Sequence, residues 1–366
     1  MAQANHAKTR LTTVAVAPES RPMNYTITSS EPASAREAIL ELWRRNLPDA
    51  SADRYPWLYE SGLATGFVLR ATGGKPVGAA GLMRRDFLAF GQLLQAGQAI
   101  DLNVDPEHRT VGPALGLQRA VVGVVDSGAL GMAYAFPNQR SEPVLRRIGY
   151  RPLGDLQRWV KILSCRAVFR HWGWPNWLAR SASAFADPFL PRRRAARRDR
   201  LAPGIRVAEV DSFDDRFDSL WRRAASQFPI LGQRDSAYLT WRFSRCPDQR
   251  YRALVLAEPD GELVGYAVFG RREEAMHLAD LLVADPRQLD RLMAEFLRLA
   301  RREGAETAVM LYCGSPTVCD ALRRFGFWQR PSGRKAMVYE KDRELPDAAS
   351  RPDAWHLTGA DIDTDG

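Results

Sequence analysis

The sequence predicts an α/β fold written twice in one chain, each copy a mixed sheet with helices on its faces. Strand-like runs and amphipathic helical runs alternate from Tyr25 to Tyr339, the pattern of such layers. Three segments also recur in one order at nearly one spacing. Leu42-Trp43-Arg44-Arg45 returns as Leu220-Trp221-Arg222-Arg223, Asp101-Leu102-Asn103-Val104 as Asp280-Leu281-Leu282-Val283, and Leu145-Arg146-Arg147-Ile148-Gly149-Tyr150 as Leu322-Arg323-Arg324-Phe325-Gly326-Phe327, at displacements of 177 to 179 residues. That period is far longer than a solenoid repeat and marks a duplicated domain. A length of 366 residues suits two domains.

In the first copy, Tyr25 to Thr28 reads as a short strand, Ala35 to Asn46 as a helix and Phe67 to Ala71 as a strand. The turn Gly73-Gly74 leads into a further strand at Val77 to Met83. Ile100 to Val104 ends a central strand, Asp105-Pro106 stops it, and from Gly112 the residues Leu117, Ala120, Val121, Val124 and Val125 follow helical spacing. A strand at Met132 to Phe136, a helix over Ser141 to Ile148 and closing strands after Tyr150 complete the copy. The second copy repeats this order: Ile205 to Val210, a helix over Asp214 to Gln227, Arg252 to Ala257, the turn Pro259-Asp260-Gly261 and Leu263 to Phe269. Strand Met276 to Val283, helix Gln288 to Arg302, strand Thr307 to Tyr312, helix Thr317 to Phe325 and a strand near Met337 to Tyr339 follow. Leu289, Leu292, Met293, Phe296, Leu297 and Ala300 form one apolar face of the long helix.

A hydrophobic fraction of 45% with 26% charged residues is that of an ordinary globular protein. No run has the length of a membrane span. The first 22 residues lack the apolar core of a signal peptide, which predicts a disordered N-terminus and a cytoplasmic protein. Cys165, Cys246, Cys313 and Cys319 are scattered, without the pairs of a zinc site or disulfide framework, and read as reduced thiols. The histidines show no ligand spacing, and no metal is expected. His-Glu-x-x-His, Walker and nucleophile-elbow motifs are absent. A net charge of +9 favours anionic ligands or surfaces without choosing among them.

The chemistry is concentrated between Ile100 and Val125. Arg109-Thr110-Val111-Gly112-Pro113-Ala114 joins the central strand to its helix. Its glycine admits close approach of a ligand, and free N–H groups at a helix start bind phosphate. Pro113 suits the first helical turn and removes one donor from the cradle. Arg109, Gly112 and Ala114 fit Arg/Gln-x-x-Gly-x-Gly/Ala, and in this strand–loop–helix setting the segment resembles the pyrophosphate loop of the GNAT acyltransferases.

The resemblance implies two tandem GNAT-like domains, each a mixed, mostly antiparallel twisted sheet whose central strands splay apart to admit the pantetheine arm of acetyl-CoA or another short acyl-CoA. In the first copy those strands would end at Val104 and Phe136. Backbone groups of Leu102, Asn103 and Val104 would pair with pantetheine, and Arg109 with the amides of Thr110, Val111, Gly112 and Ala114 would hold the pyrophosphate. A backbone N–H of Leu102 or its neighbour would polarise the thioester carbonyl. An amine or hydroxyl acceptor would then attack directly. The family pattern Asn-x-x-Ala-x-x-x-Tyr-x-x-x-Gly-Phe is met here by Asn138, Ser141, Leu145, Gly149 and Tyr150. Its tyrosine is missing, so Tyr134 or water would protonate the leaving thiolate, with Asn138 lining the cofactor site. Asp101 is the candidate general base. Its counterpart Asp280 admits the other reading, that this aspartate braces the strand.

After Val283-Ala284-Asp285-Pro286 the second copy runs Arg287-Gln288-Leu289-Asp290, with no glycine. Only the first copy is therefore expected to bind CoA, the second shaping the acceptor pocket. Tyr238-Leu239-Thr240-Trp241-Arg242 is similar to a segment of tandem GNAT proteins near glycan-assembly genes, which implies an amino sugar or glycan precursor as small-molecule acceptor. Two other readings stay open: an aminoacyl-tRNA-dependent transferase of the peptidoglycan-bridge type, and a catalytically silent CoA-binding or membrane-associated scaffold.

The predicted domains are 23–163 and 204–342, with a linker at 164–203 and a polar, acidic tail at 343–366 expected to be disordered. The linker holds Trp172, Trp174 and Trp177 and the basic run Pro191 to Arg200. One reading is a linker helix that packs its tryptophans on one domain, with a solvated basic stretch behind it; tryptophan with arginine also suits peripheral contact with a membrane through 172–200. Nucleic acid fits less well, because base-stacking aromatics are not interleaved with the arginines.

Overall fold

The computed structural model describes residues 25–30, 32–186, 204–341 and 345–363. Its first half runs β1 (Thr26–Ser30), α1 (Pro32–Asn46), a π-helical turn (Pro56–Glu60), β2 (Ala64–Arg70), β3 (Pro76–Ala89), β4 (Gln92–Val104), α2 (Val111–Asp126), β5 (Met132–Ala135), α3 (Glu142–Ile148) and β6 (Arg151–Ile162). Two short helices follow, α4 (Arg166–His171) and α5 (Asn176–Ala186). The second half is β7 (Arg206–Val210), α6 (Asp215–Ala224), β8 (Ile230–Gly232), α7 (Ser236–Leu239), a second π-helical turn (Thr240–Ser244), β9 (Tyr251–Ala257), β10 (Leu263–Arg272), β11 (Ala275–Val283), α8 (Leu289–Arg302), β12 (Thr307–Gly314), α9 (Pro316–Arg324) and β13 (Trp328–Tyr339). A last strand, β14 (Trp355–Leu357), lies in the tail.

The principal strands and helices fall where periodicity places them. Their assembly into one sheet was not legible. Fourteen strands form a single mixed sheet whose main path is β1-β2-β3-β4-β5-β13-β6-β12-β11-β10-β9-β7. The expectation of a separate sheet for each copy is corrected here, because the closing strands are exchanged. β13 of the second half pairs with β5 of the first, and β6 of the first half pairs with β12 of the second. β6 and β13 then pair antiparallel with each other at the centre. The exchange satisfies backbone groups that two separate sheets would leave on open edges.

The same reciprocity governs the packing between halves. Trp57 and Trp241 lie on the two π-helical turns and stack at 4.7 Å with planes 12° apart. Each indole Nε1 donates to the other's backbone carbonyl, at 2.8 and 2.9 Å. Both rings belong to one apolar cluster that runs from Ile39, Leu42 and Trp43 of α1 to Phe217 and Leu220 of α6. A second cluster packs α8 and α9 on the far strands, through Leu292, Phe296, Leu322 and Phe327 among others. A third packs α2 on β3 through Leu117, Val121 and Val77.

The tail is a second correction. Residues 345–363 fold, although composition predicts disorder, because their polar groups find partners in the interior. Trp355, Leu357, Ala360 and Ile362 are buried, and Thr358 and Asp361 close a capping box. Residues 1–24, 31, 187–203, 342–344 and 364–366 lie outside the described residues, and with them the expected N-terminal disorder and the arginine run.

Strand exchange makes one cooperative unit the expected unfolding behaviour. Trp241→Ala should cost roughly 3–5 kcal/mol, the range for a buried tryptophan, and shift urea unfolding of both halves in a single transition. Residues 23–163 expressed alone should fail to give a stable monomer, as read by hydrogen exchange and sedimentation.

Candidate functional site

β4 and β5 run parallel and pair only as far as Ala96↔Met132, Gly97↔Ala133 and Gln98↔Tyr134. β5 stops one residue later, while β4 continues to Val104. The edge of β4 from Ala99 onward therefore parts from its neighbour, which opens a gap in the sheet. On its other side β4 stays paired with β3, through an irregularity between Gly81↔Ile100 and Ala79↔Asn103. Asp101 sits in that bulge with φ of 55°, a left-handed conformation that costs a non-glycine residue about 1–3 kcal/mol. Bulges aim side chains and leave backbone groups unpaired.

The Asp101 side chain is 4% exposed, and its carboxylate accepts one side-chain hydrogen bond among the described residues, from the Tyr59 hydroxyl at 2.8 Å. Gly81 makes that bond possible, since a Cβ there would lie 2.5 Å from the Tyr59 oxygen. The Arg54 guanidinium stands 4.0 Å from Asp101, 3.6 Å from Asp363 and 3.7 Å from Asp248. Three carboxylates thus gather around the buried Arg54 guanidinium. Burial raises the Asp101 carboxyl to about 6, Arg54 opposes the shift and Asp363 adds to it. Burial likewise raises Tyr59 well above the ordinary phenol range, so it stays a donor.

The other end of the gap carries the predicted anion site. Thr110 is the extended N-cap of α2 and makes no side-chain cap, so the first-turn amides of Val111 and Gly112 are not covered by it. A Cβ added to Gly112 would meet no atom within 4 Å, so the missing side chain leaves room for a ligand against the helix start. Pro113 is buried under the first turn, and Ala114 packs on the core beside it. Arg109 folds back, its Nε donating to the Val104 carbonyl at 2.9 Å and its terminal nitrogen reaching Asn46 at 3.4 Å. One backbone acceptor assigned to pantetheine is therefore occupied by the cradle arginine. Asn103 is held by its amide on the Asp101 carbonyl, 2.8 Å away, and Leu102 is half-buried against the third cluster, between α2 and β3.

Tyr134 and Asn138 are placed differently from expectation. Tyr134 pairs with Gln98 at the closed root of the gap, where its hydroxyl contacts Gln98 Oε1 at 3.4 Å and the Asp361 carbonyl at 3.3 Å. Asp101 lies three residues further along β4, about 10 Å at the strand rise. Asn138 uses Oδ1 to accept from the amides of Arg140 and Ser141, and so shapes the entry to α3. Sequence reasoning missed Arg54, Tyr59, Gln98, Asp248 and Asp363. No motif marks them, and Asp363 arrives from the far end of the chain to accept from Gln98 Nε2 at 3.1 Å.

The second half shows what a closed version of this site looks like. β11 and β12 also part, after Leu278↔Met310, but β14 adds to the freed edge of β12 through Cys313↔Leu357 and Gly314↔His356. His356 bridges the gap, with Nε2 2.9 Å from the Leu281 carbonyl and Nδ1 3.2 Å from the Tyr312 hydroxyl. Asp280 is saturated by Arg234 at 2.9 Å, Tyr266 at 2.7 Å and Thr358 at 2.6 Å. At the start of α8, Asp285 accepts from the Arg287 amide, putting a carboxylate where the first half offers room for an anion.

Burial lowers His356 to about 4, so the folded tail favours the neutral ring. A depressed folded value means that this stability is fully present above about 6.5 and is lost as pH falls toward 4, up to ~3 kcal/mol for the fully buried ring. Hydrogen exchange at 355–361 should therefore accelerate between pH 6.5 and 4, and a His356→Gln variant should flatten that dependence.

Neither a protein-family model nor a curated protein matches the chain. Solved structures do match its fold. A probable N-acyltransferase of Enterococcus faecalis V583 superposes with a TM-score of 0.62 at 10% identity, over 87% of this chain and 72% of that one. A GCN5-related N-acetyltransferase of Kribbella flavida gives 0.57 at 13% identity, over 88% and 72%. The N-myristoyltransferase of Saccharomyces cerevisiae, solved with myristoyl-CoA bound, gives 0.56 at 14%, over 89% and 84%. The chain has the fold of the GNAT N-acetyltransferases and of N-myristoyltransferase.

Proposed function

We propose that this protein is a CoA-dependent acyltransferase of tandem GNAT architecture that transfers a short acyl group, acetyl in the simplest case, to an amine. One observation carries the reading: the freed edge of β4 joins a helix start with room for an anion to a strained, sparsely bonded Asp101. An acyl-CoA laid along that edge has its pyrophosphate at Val111, Gly112 and Ala114, with Arg109 turning from the Val104 carbonyl to the phosphates. Its pantetheine pairs with Leu102, Asn103 and Val104. The thioester then lies near the bulge, where an unpaired backbone N–H can stabilise the developing oxyanion.

Asp101, Asp248 and Asp363 clustered around Arg54 favour an ammonium over a neutral hydroxyl. An amino sugar or other amine-bearing glycan precursor meets that requirement. Asp101 takes one proton from the ammonium, and the freed amine attacks the thioester carbonyl. The tetrahedral adduct expels the CoA thiolate, which accepts the nitrogen's second proton through water. Tyr134, held at the root of the gap by Gln98 and the tail, braces the strands in this scheme.

Gly112→Glu places a carboxylate in the cradle and should abolish acetyl-CoA binding in calorimetric titration, with thermal unfolding unchanged. Retained binding would remove the cradle from the scheme. The pH profile of kcat/KM should rise through about 6 as Asp101 ionises. Asp101→Asn should erase that limb and lower turnover by about 10²–10⁴-fold, while CoA affinity persists.

A further inference from the structure

We infer that the helical pair after β6 is a docking surface for an anionic lipid bilayer. Four of the nine large apolar side chains exposed among the described residues fall within seven positions of this pair. Trp172 is 66% exposed, Trp174 40%, Trp177 71% and Leu178 36%. Phe169 stacks on Trp174 at 5.0 Å and meets Trp172 edge-on at 6.0 Å, so the aromatics stand as a braced cluster. α5 is seated by its opposite side, where Ser183 is buried, while Trp177, Leu178, Arg180 and Ser181 face outward. The root is tied down where Arg166 meets Glu306 at 3.2 Å.

Charge selects the occupant. The sequence from Arg166 to Arg200 holds nine arginines and two aspartates, a net +7 of the chain's +9, so most of the net positive charge belongs to the same stretch of sequence as the exposed tryptophans. Indole rings partition to the boundary between headgroups and acyl chains, and arginine is drawn to anionic headgroups. A bilayer supplies both environments in one surface. Nucleic acid would need aromatics interleaved with the arginines, whereas here the tryptophans precede the run. No helix among the described residues is long and apolar enough to cross a membrane, so the contact is peripheral.

The test sediments the full chain with vesicles of phosphatidylcholine alone or mixed with phosphatidylglycerol. Partition is expected only with the anionic vesicles, weakened by salt and accompanied by a blue shift of tryptophan emission. Trp172→Ala with Trp177→Ala should reduce partition by about tenfold or more, since these rings supply most of the apolar area offered to the headgroup boundary. Their exposure predicts unchanged thermal unfolding, which separates lost docking from lost folding. Replacing Arg192, Arg193 and Arg194 with glutamine should cost on the order of a hundredfold, at about fivefold per arginine near a charged surface. Absent partition, partition insensitive to the tryptophans, or RNA binding that displaces the vesicles would overturn the inference.

Discussion

The tertiary structure turns on one buried guanidinium. Arg234 has no exposed side-chain surface and joins Asp280 of β11, at 2.9 Å, to Asp361 of the tail, at 2.5 Å. Asp361 in turn meets Arg85 of β3 at 3.1 Å. Burial works against the charge on Arg234, but the two carboxylates outweigh it and hold it protonated. Burial likewise opposes ionisation of Asp361, and Arg234 reverses that. Removing one partner of such a set leaves an uncompensated buried charge, typically worth 3–5 kcal/mol. Through this set the first half, the second half and the tail are fixed to one another.

The tail so anchored has two effects, one in each gap. In the second half it supplies a strand to β12, and His356, Thr358 and Gly359 close over Leu281, Asp280 and Ala279. In the first half the same segment places Asp363 beside Gln98 and Arg54. Two aspartates at repeated positions thereby acquire opposite characters. Asp280 is a saturated structural ion, while Asp101 is held in a strained bulge with one hydrogen bond and a raised affinity for protons. A carboxyl whose pKa is raised toward neutrality has the proton affinity that suits general base work near neutral pH.

The exchange of β6 and β13 explains how two gaps can sit in one sheet without weakening it. Each parallel pair, β4 with β5 and β11 with β12, parts at one end. Each short second strand would be a loose edge if its own half closed alone. Antiparallel pairing with the other half's closing strand secures it, and the Trp57–Trp241 stack repeats that reciprocity in side chains.

Local pattern by itself determined the order of strands and helices, the internal repetition, and the strand–loop–helix setting of Arg109 to Ala114. These follow from periodicity, from Gly112 and from the start of α2, all short-range properties of the chain. The sequence of tryptophans followed by arginines was legible for the same reason, but the exposure of Trp172 and Trp177 was not. The sequence marked Asp101 as a candidate base, but not its surroundings, because Tyr59, Arg54 and Asp363 are 42, 47 and 262 positions away. Composition misjudged the tail, since a polar acidic segment reads as solvated unless the arginines that neutralise it are known. Tertiary structure alone decided the strand exchange, the sealing of the second gap and the opening of the first. Each rests on pairing between segments whose compatibility is a matter of shape and charge in space, which no local window of sequence contains.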